Sequence, residues 1–143
     1  MVNASRTDIY NYLYGLLYGT VTENIYSMKE PQELTDSDTK DGFIVINVGY
    51  LIDESEFYCE AYGSVRCYVE AFIPPKSRGR LDVEKFGQYE NAINSVIDIA
   101  SRTQEGDYYI EKDSVISLDS TESSTSDNAY FTFIKSFVVI IDK

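Results

Sequence analysis

The chain has 143 residues, of which 24 are acidic and 12 basic, so its formal net charge is −12, and it contains no histidine. This length suits one domain with its own hydrophobic core. The acidic balance argues against binding to nucleic-acid phosphates or to an anionic membrane surface, because both need clustered Lys and Arg. The absence of His removes the commonest catalytic base and the commonest zinc ligand. The composition therefore predicts a protein that is not an enzyme and uses no metal or cofactor.

The sequence shows no targeting signal. Its first residues lack the charged-then-apolar layout of a signal peptide, and no apolar run approaches the ~20 residues of a membrane span. We therefore expect the chain to be cytoplasmic where it is made. Its two cysteines, Cys59 and Cys67, are too few for a disulfide framework. We expect buried free thiols, although a hairpin at residues 62–64 would let the two face each other.

The first predicted element is a helix with Ser5 as its N-cap, supported by Asp8 three positions later. Apolar residues at helical spacing form its buried stripe: Ile9, Leu13, Leu16 and Leu17. A second row, at every fourth position, consists of Tyr10, Tyr14 and Tyr18. Packing within the domain and an oligomer interface are both open interpretations of this tyrosine row. A short strand over residues 23–28 follows.

Residues 31–42 predict a loop, since they are polar almost throughout. The carboxylates of this acidic loop are Glu33, Asp36, Asp38 and Asp41. Residues 36–42 resemble a calcium-binding loop at first sight. However, Lys40 occupies a ligand position and Asn47 stands where that motif needs a glutamate. We interpret the segment as a solvated acidic loop.

Alternating apolar and polar residues predict antiparallel strands over 43–52, 57–62 and 65–73, with a turn at residues 63–64. The Pro-Pro pair at 74–75 ends the last strand, because proline cannot donate a hydrogen bond to the ladder. Alternation of this kind is typical of a sheet with one face covered.

The connection over residues 74–81 is basic. It carries Lys76, Arg78 and Arg80, three of the 12 basic residues of the chain. In so acidic a chain, this connection is either a solvated loop or an electrostatic contact to an acidic surface. The sequence leaves both interpretations open.

A second helix is predicted over residues 82–102, with Asp82 as its N-cap. Two strands close the chain, roughly over 108–118 and 129–142, and a wholly polar link joins them. Residues 137–141 are apolar on both faces, so they lie either centrally under helices or against another subunit.

These elements predict an α+β fold, in which an antiparallel β-sheet packs with two main α-helices in a single domain over residues 1–143. Polar loops are expected near 30–42, 74–81 and 119–128. The glycines never reach the spacing of a Rossmann or P-loop motif, and no two carboxylates stand out as an acid and base pair. The sequence therefore shows no catalytic constellation.

This order of elements resembles the phage tail-terminator and tail-completion family, the neck proteins that cap or join a tail tube. The resemblance covers residues 5–143. It rests on the helix at 9–18, on the strand 65–73 running into the helix 82–102, and on the final strand, with residues 130–133 followed by 137–140. It implies a non-enzymatic structural virion protein, one subunit of a ring, often hexameric, at the head–tail junction. It also implies contacts with other neck or tail proteins, and localisation in the host cytoplasm during assembly and then in the virion.

A ring requires one surface patch to contact a different patch on the next copy. We expect the basic connection to contact an acidic surface on a neighbouring copy or another partner, with the acidic loop as first candidate. This contact would set the register, while aromatic and aliphatic contacts supply most of the affinity. The candidate interface residues are Lys76, Arg78, Arg80, Glu33, Asp36, Asp38, Asp41, Tyr10, Tyr14 and Tyr18. The alternative function is an acidic protein-binding module, of DNA-mimic or inhibitor type, acting on a basic partner.

Overall fold

A computed structural model describes residues 5–27, 33, 35–49, 52–53, 62–76, 80–103, 106–125 and 128–142. Within these residues the chain forms three α-helices, seven strands and a 3-10 turn. In chain order they are α1 (Arg6–Leu17), β1 (Ile25–Ser27), α2 (Asp36–Asp41), β2 (Phe43–Val48), β3 (Ile52–Asp53), β4 (Tyr62–Ile73), α3 (Val83–Arg102), β5 (Tyr108–Ile110), the 3-10 turn (Lys112–Ser114), β6 (Ile116–Thr125) and β7 (Asn128–Asp142).

The centre of the sheet is the antiparallel pair β4–β7, which runs from Tyr62 opposite Asp142 to Ile73 opposite Phe131. On the edge of β4 that faces away from β7, β2 and β3 pair with it one after the other, both antiparallel. On the edge of β7 that faces away from β4, β6 and β5 pair with it one after the other, also antiparallel. β1 pairs with β2 in parallel. The predicted α+β fold with an antiparallel sheet is thus confirmed, apart from this one parallel pair.

One face of the sheet packs against α1 and α3 and forms the main core. The alternation of β4 places its apolar residues on this face, because successive side chains of a strand point to opposite sides. The buried residues of β4 on this face are Val65, Cys67, Val69, Ala71 and Ile73. The helices contribute Ile9, Leu13 and Leu17 from α1, and Tyr89, Ile93, Ile97 and Ala100 from α3. Both helical stripes repeat every three or four residues, as expected for 3.6 residues per turn.

Both long helices begin where the sequence predicted. The N–H of Asp8 donates to the Ser5 hydroxyl at 3.2 Å, and the N–H of Ser5 donates back to the Asp8 carboxylate at 2.8 Å, which completes a capping box. Asp82 caps α3 by accepting from the N–H of Lys85 at 3.1 Å. These side chains satisfy N–H groups that have no partner inside the helix.

The opposite face of the sheet carries a small aromatic cluster. The rings of Phe43 and Phe72, which lie opposite each other in the β2–β4 pair, stack with their centres 4.5 Å apart. Tyr130 meets Phe43 edge-on at 5.5 Å, and Tyr26 of β1 does so at 5.8 Å. With Val45 these rings form a second buried cluster. The sheet is therefore covered with apolar side chains on part of this face as well.

The predicted turn at residues 63–64 is wrong. Gly63 and Ser64 lie inside β4, where they pair with β3 on one side and with β7 on the other. Small polar residues favour a turn only weakly. Here hydrogen bonds to two neighbouring strands outweigh that preference. The predicted strand that precedes this turn lies outside the described residues, apart from Tyr62.

The chain's last two strands also differ from the prediction. The 3-10 turn interrupts the predicted strand 108–118 and so separates β5 from β6. The polar loop expected near 119–128 is mostly strand, since β6 continues to Thr125 and pairs with β7 from Asn128. The long apolar β7 supplies backbone partners along its whole length, and these partners override the weak strand preference of a Ser-rich segment.

The loop expected near 30–42 contains a helix, α2. α2 has no apolar stripe, so the periodicity of the sequence does not predict it. One interface candidate changes its role as a result: Asp38 is 0% exposed, so it is not available to a partner. The prediction that Asp38 is an interface residue is therefore wrong for this fold.

Two predicted features concern single residues. Cys67 is a buried free thiol, as expected. Its suggested partner, Cys59, lies outside the described residues, and so does Arg78 of the basic connection.

Candidate interaction surfaces

One end of the sheet gathers the polar segments that the sequence analysis singled out. β2 begins at this end and β4 finishes at it, since Phe43 lies opposite Phe72. β7 begins at the same end, since Phe131 lies opposite Ile73. α2 leads into β2, the basic connection follows β4, and β6 ends beside the start of β7. These three segments therefore lie at one end of the molecule, which we call the α2 end.

Polar contacts hold the N-terminal half of α2. The N–H of Asp38 donates to the Thr35 hydroxyl at 3.1 Å, and the N–H of Thr35 donates to the Asp38 carboxylate at 2.9 Å. The Tyr26 hydroxyl donates to the same carboxylate, at 2.7 Å from one oxygen and 2.9 Å from the other. Partial burial, together with this hydrogen bond, raises the pKa of Tyr26 to about 12. Asp38 therefore anchors α2 to the sheet.

Side chains from other elements hold the C-terminal half of α2. The Lys40 carbonyl accepts from Lys85 Nζ at 2.9 Å. The Asp41 carbonyl accepts from the Tyr89 hydroxyl at 2.8 Å, and the Gly42 carbonyl accepts from Asn24 Nδ2 at 3.2 Å. These carbonyls stand at a helix end, where no partner inside the helix exists. Burial raises the pKa of Tyr89 well above its ordinary range. A six-residue helix is not stable by itself, so these contacts determine its position.

Gly42 brings α2 directly against the end of β4. Its φ is +91°, a conformation that side chains with a Cβ rarely adopt. A Cβ there would lie 2.6 Å from the carbonyl oxygen of Phe72, 2.8 Å from the Tyr89 hydroxyl and 3.2 Å from Cδ of Pro74. α2 is thus the immediate neighbour of the basic connection, which starts at Pro74.

The basic connection presents two exposed cations, Lys76 and Arg80, which we call the basic pair. The N–H of Lys76 donates to the carbonyl of Arg80 at 2.7 Å, so these two residues lie side by side. Next to it, Asp36 and Asp41 of α2 are exposed, and we call them the acidic pair. Glu33 is exposed as well. The fold therefore brings basic and acidic candidates to one end of the same copy, while their contact with a neighbouring copy stays a prediction.

Two exposed apolar side chains adjoin the basic pair. Leu81 is 38% exposed and Val83, at the start of α3, is 70% exposed. We call them the apolar pair. Nothing in the sequence pattern marks these two residues as exposed, since an apolar residue just before a helix commonly packs against its first turn in a hydrophobic staple.

A polar groove of about 1020 Å³ opens beside α2, between the α1–β1 link and the first half of α3. Its polar lining includes Thr20, Glu23, Asn24, Ser37, Asp41, Lys85, Gln88 and Asn91. Part of this lining is already engaged, since Asn24 donates to the Ser37 hydroxyl at 2.9 Å. The groove is a polar surface depression that belongs to the α2 end.

The tyrosine row lies along α1 on the side of strand β1. The ring centres of Tyr10 and Tyr14 are 5.9 Å apart, and those of Tyr14 and Tyr18 are 5.3 Å apart. Tyr10 and Tyr14 are half-buried, whereas Tyr18 is 48% exposed. Glu23 raises the pKa of Tyr18, chiefly because its negative charge lies nearby. Packing inside the domain accounts for Tyr10 and Tyr14 in part, and leaves Tyr18 at the surface.

A small cavity of about 280 Å³ adjoins this row and is lined by Arg6, Thr7, Tyr10, Ser27 and Val48. Arg6 donates to the carbonyl of Val48 from Nε at 3.1 Å and from Nη2 at 2.7 Å. The cavity therefore lies where the start of α1 meets the ends of β1 and β2.

The two sides of the sheet differ. Among the described strands, β1 has a neighbour only at β2, and β6 has a neighbour only at β7. β1 is three residues long and stands beside the tyrosine row, whereas β6 is ten residues long and begins with the exposed Ile116. Strand edges leave backbone N–H and C=O groups available for another chain. The two edges of the sheet therefore differ: a three-residue strand forms the β1 edge, and a ten-residue strand contributes to the β6 edge.

The described residues include no group of three or more His, Cys, Asp or Glu side chains arranged to hold a metal ion. None of the helices in this part of the chain combines the length and the apolar character needed to cross a membrane. No protein-family model matches the chain, and no curated protein matches it either.

Sequence reasoning missed the residues that position α2, namely Tyr26, Lys85, Tyr89 and Asn24. A local signal for α2 existed, since Thr35 and Asp38 have the spacing of a capping box. No local signal could have located its partners, because Lys85 and Tyr89 follow α2 by more than forty positions.

Proposed function

We propose that the chain is a non-enzymatic structural subunit of a tailed phage, similar in role to neck and tail-terminator proteins, and that copies of it assemble in a ring at the head–tail junction. Its partners would be further copies and other neck or tail proteins. It would be found in the host cytoplasm during assembly and afterwards in the virion. The resemblance of the sequence pattern to that family supports this proposal.

The observation that carries this proposal is the difference between the two sides of the sheet. A ring needs a heterologous contact, in which one side of a copy meets a different side of the next. The β1 side offers a short edge with the tyrosine row, and the β6 side offers a ten-residue edge. Opposite sides with different chemistry suit head-to-tail association, because each copy then uses both of them.

Tyr18 is the candidate anchor of this lateral contact. It is the most exposed member of the tyrosine row, and its ring stacks on Tyr14, which limits its freedom before binding. A large ring with a polar tip supplies contact area at low entropic cost. Ile116 on β6 is the corresponding exposed apolar residue on the other side.

Native mass spectrometry of the purified chain, alone and with candidate neck or tail proteins, tests this proposal. We expect a species of several chains, and we expect Tyr18→Ser to shift it toward the mass of one chain. Tyr68→Ser is the matched control, because Tyr68 is also an exposed tyrosine but lies on the other face of the sheet. A chain that stays monomeric alone and with every candidate partner would contradict the ring.

A second candidate function is an acidic module that binds a basic partner. The charge of −12 and the exposed acidic pair of α2 favour it. A mimic of DNA, however, needs a regular carboxylate array on a rigid face. The exposed face of α3 instead carries amides and hydroxyls between Glu84 and Asp98, and Asp98 is paired with Arg102 at 2.7 Å. If the immobilised chain retains a basic nuclease or DNA-binding protein, this module is favoured over the ring. The double variant Asp36→Asn with Asp41→Asn should then retain less of that protein.

A further inference from the structure

Two charged side chains in the described part of the chain are buried, Asp38 at 0% and Lys135 at 9% exposure. Their hydrogen bonding differs. The Asp38 carboxylate accepts from the Thr35 N–H and from the Tyr26 hydroxyl. The Lys135 ammonium has three N–H donors, and among the described residues its hydrogen bond goes to the Ser117 hydroxyl alone. The buried anion therefore has its partners within the chain, whereas the buried cation lacks most of its own.

Lys135 lies on the face of β7 that the helices cover. It stands opposite Val69 of β4 and Ser117 of β6, and it shares this face with Phe133, two residues earlier. Phe86 of α3 packs edge-on against Phe133, with ring centres 5.2 Å apart. Ser117 is exposed on β6. The ammonium therefore meets a surface residue at the β6 edge, while the stem of the side chain is buried.

No carboxylate of the described residues forms an ion pair with Lys135. Glu90, one helical turn after Phe86 in α3, is half-buried but does not pair with it. Glu111 and Asp113 are exposed at the 3-10 turn that precedes β6, and they do not pair with it either. A buried ammonium is costly unless a carboxylate compensates for its lost hydration, and one neutral hydroxyl is a weak substitute. Lys135 therefore has unused capacity to bind an anion at the β6 edge.

Another copy of the chain can supply that anion. β6 forms one half of the lateral contact proposed above, and the present inference rests on that contact. The other half, the β1 side, presents Glu23, an exposed carboxylate close to Tyr18. Asp8, the acidic residue of α1, is already engaged in capping that helix. Pairing Glu23 with a cation of the next copy also offsets the repulsion between two chains of charge −12.

We propose that Lys135 and Ser117 form a carboxylate receptor at the β6 edge, and that Glu23 of a neighbouring copy fills it. The carboxylate accepts from the Lys135 ammonium and from the Ser117 hydroxyl, which can donate its own proton while it accepts from Lys135. The receptor and Glu23 lie on opposite sides of one copy. The contact is therefore heterologous, as a ring requires.

Removing the charge of Lys135 tests the receptor. Lys135→Met keeps an unbranched apolar stem, so we expect a folded chain whose association is weakened at least about tenfold, with a native mass shifted toward one chain. Lys112→Met is the matched control, because Lys112 is an exposed lysine of the 3-10 turn on the same side of the sheet. Thermal unfolding of single copies is the second measurement. Lys135→Met should be at least as stable as the wild type, since it no longer buries an uncompensated charge.

Mixing two variants tests whether Glu23 is the partner. Glu23→Gln alone should weaken association as Lys135→Met does. In an equimolar mixture, Glu23 of a Lys135→Met copy can still reach Lys135 of a Glu23→Gln copy, whereas the reverse contact lacks both partners. The mixture should therefore form pairs that contain one copy of each variant, and these pairs should not close into the wild-type assembly.

Several outcomes would overturn the receptor. It is refuted if Lys135→Met assembles like the wild type, because Lys135 then only extends its ammonium into water. It is also refuted if the mixture does not pair, or if Lys135→Met and Glu90→Gln destabilise single copies equally, which would mean that these residues pair within one chain. A wild type that stays monomeric refutes the ring and the receptor together. A ring that responds to Tyr18→Ser but not to Lys135→Met refutes the receptor alone.

Discussion

The Tyr26 hydroxyl donates to both carboxylate oxygens of Asp38, at 2.7 Å and 2.9 Å, and so connects the edge strand β1 to helix α2. The same carboxylate caps α2 by accepting from the N–H of Thr35. A carboxylate that is 0% exposed is costly unless hydrogen bonds replace its hydration. One buried acid therefore determines both where α2 begins and where it sits.

Removing the Tyr26 hydroxyl should release α2. We expect Tyr26→Phe to lower the free energy of unfolding by about 1.5–3 kcal/mol, because a hydrogen bond to a charged group is lost and Asp38 stays buried. Urea denaturation measures the change. Tyr68→Phe, at an exposed tyrosine, is the control and should change stability by less than about 0.5 kcal/mol. Equal losses in both variants would show that the Tyr26–Asp38 bond does not support the fold.

Two glycines should respond oppositely to alanine. Gly42 has φ +91° and ψ 178°, a region that is essentially restricted to glycine, and its Cβ would meet Phe72 at 2.6 Å. We expect Gly42→Ala to destabilise the protein by about 1–3 kcal/mol. Gly15 lies inside α1 with nothing within 4 Å of a Cβ, so Gly15→Ala should stabilise it by about 0.5–1 kcal/mol. Thermal unfolding of both variants checks the signs, and a shift in the same direction would contradict this account.

Stability should fall as the pH rises above about 9. Burial raises the pKa of Cys67 from 9.0 to about 12, and burial with the Asp38 hydrogen bond raises that of Tyr26 from 10.0 to about 12. Between those values the unfolded chain has lost a proton that the folded chain keeps, so the free energy of unfolding decreases with rising pH. The stabilisation that comes from keeping the Cys67 thiol protonated is complete below pH 9.0, the pKa of the thiol in the unfolded chain, and is lost by about pH 12. Urea midpoints from about pH 7 to about pH 12 should show this slope, and Cys67→Ala should reduce it.

The Cys67 thiol should be inert in the folded protein. It is buried, and its raised pKa keeps it protonated at neutral pH, whereas the thiolate is the reactive form. In a Cys59→Ser background, which leaves one thiol, a thiol reagent should react at least about 100-fold faster in urea than in buffer. Fast reaction in buffer would place Cys67 at the surface instead.

Much of the fold follows from local patterns. The capping box of Ser5 and Asp8, the stripe of α1 and the alternation of β4 each depend on residues close in sequence, and the structure agrees with them. The ends of α3 at Asp82 and Arg102 were predicted for the same reason. Helical and strand periodicities are short, so a short stretch of sequence is enough to indicate which residues share a face.

The errors occurred where distant backbone or side-chain partners outweighed local preference. Gly63 and Ser64 look like a turn, yet they are strand residues, because β3 and β7 pair with them from both sides. The Ser-rich segment that ends at Thr125 is strand because β7 runs alongside it. Polar sequence by itself contains no information about which distant strand will supply its hydrogen bonds.

The sequence alone determined the acidic character of the chain, its α+β class and the candidate charged and aromatic residues. The packed fold buries Asp38, leaves Asp36 and Asp41 exposed, and places the basic pair beside α2 in the same copy. The physical reason is the range of the interactions involved. Caps and stripes form within a few residues, whereas Lys85 and Tyr89 reach α2 from 45 and 48 positions away, and only the packed fold brings them together.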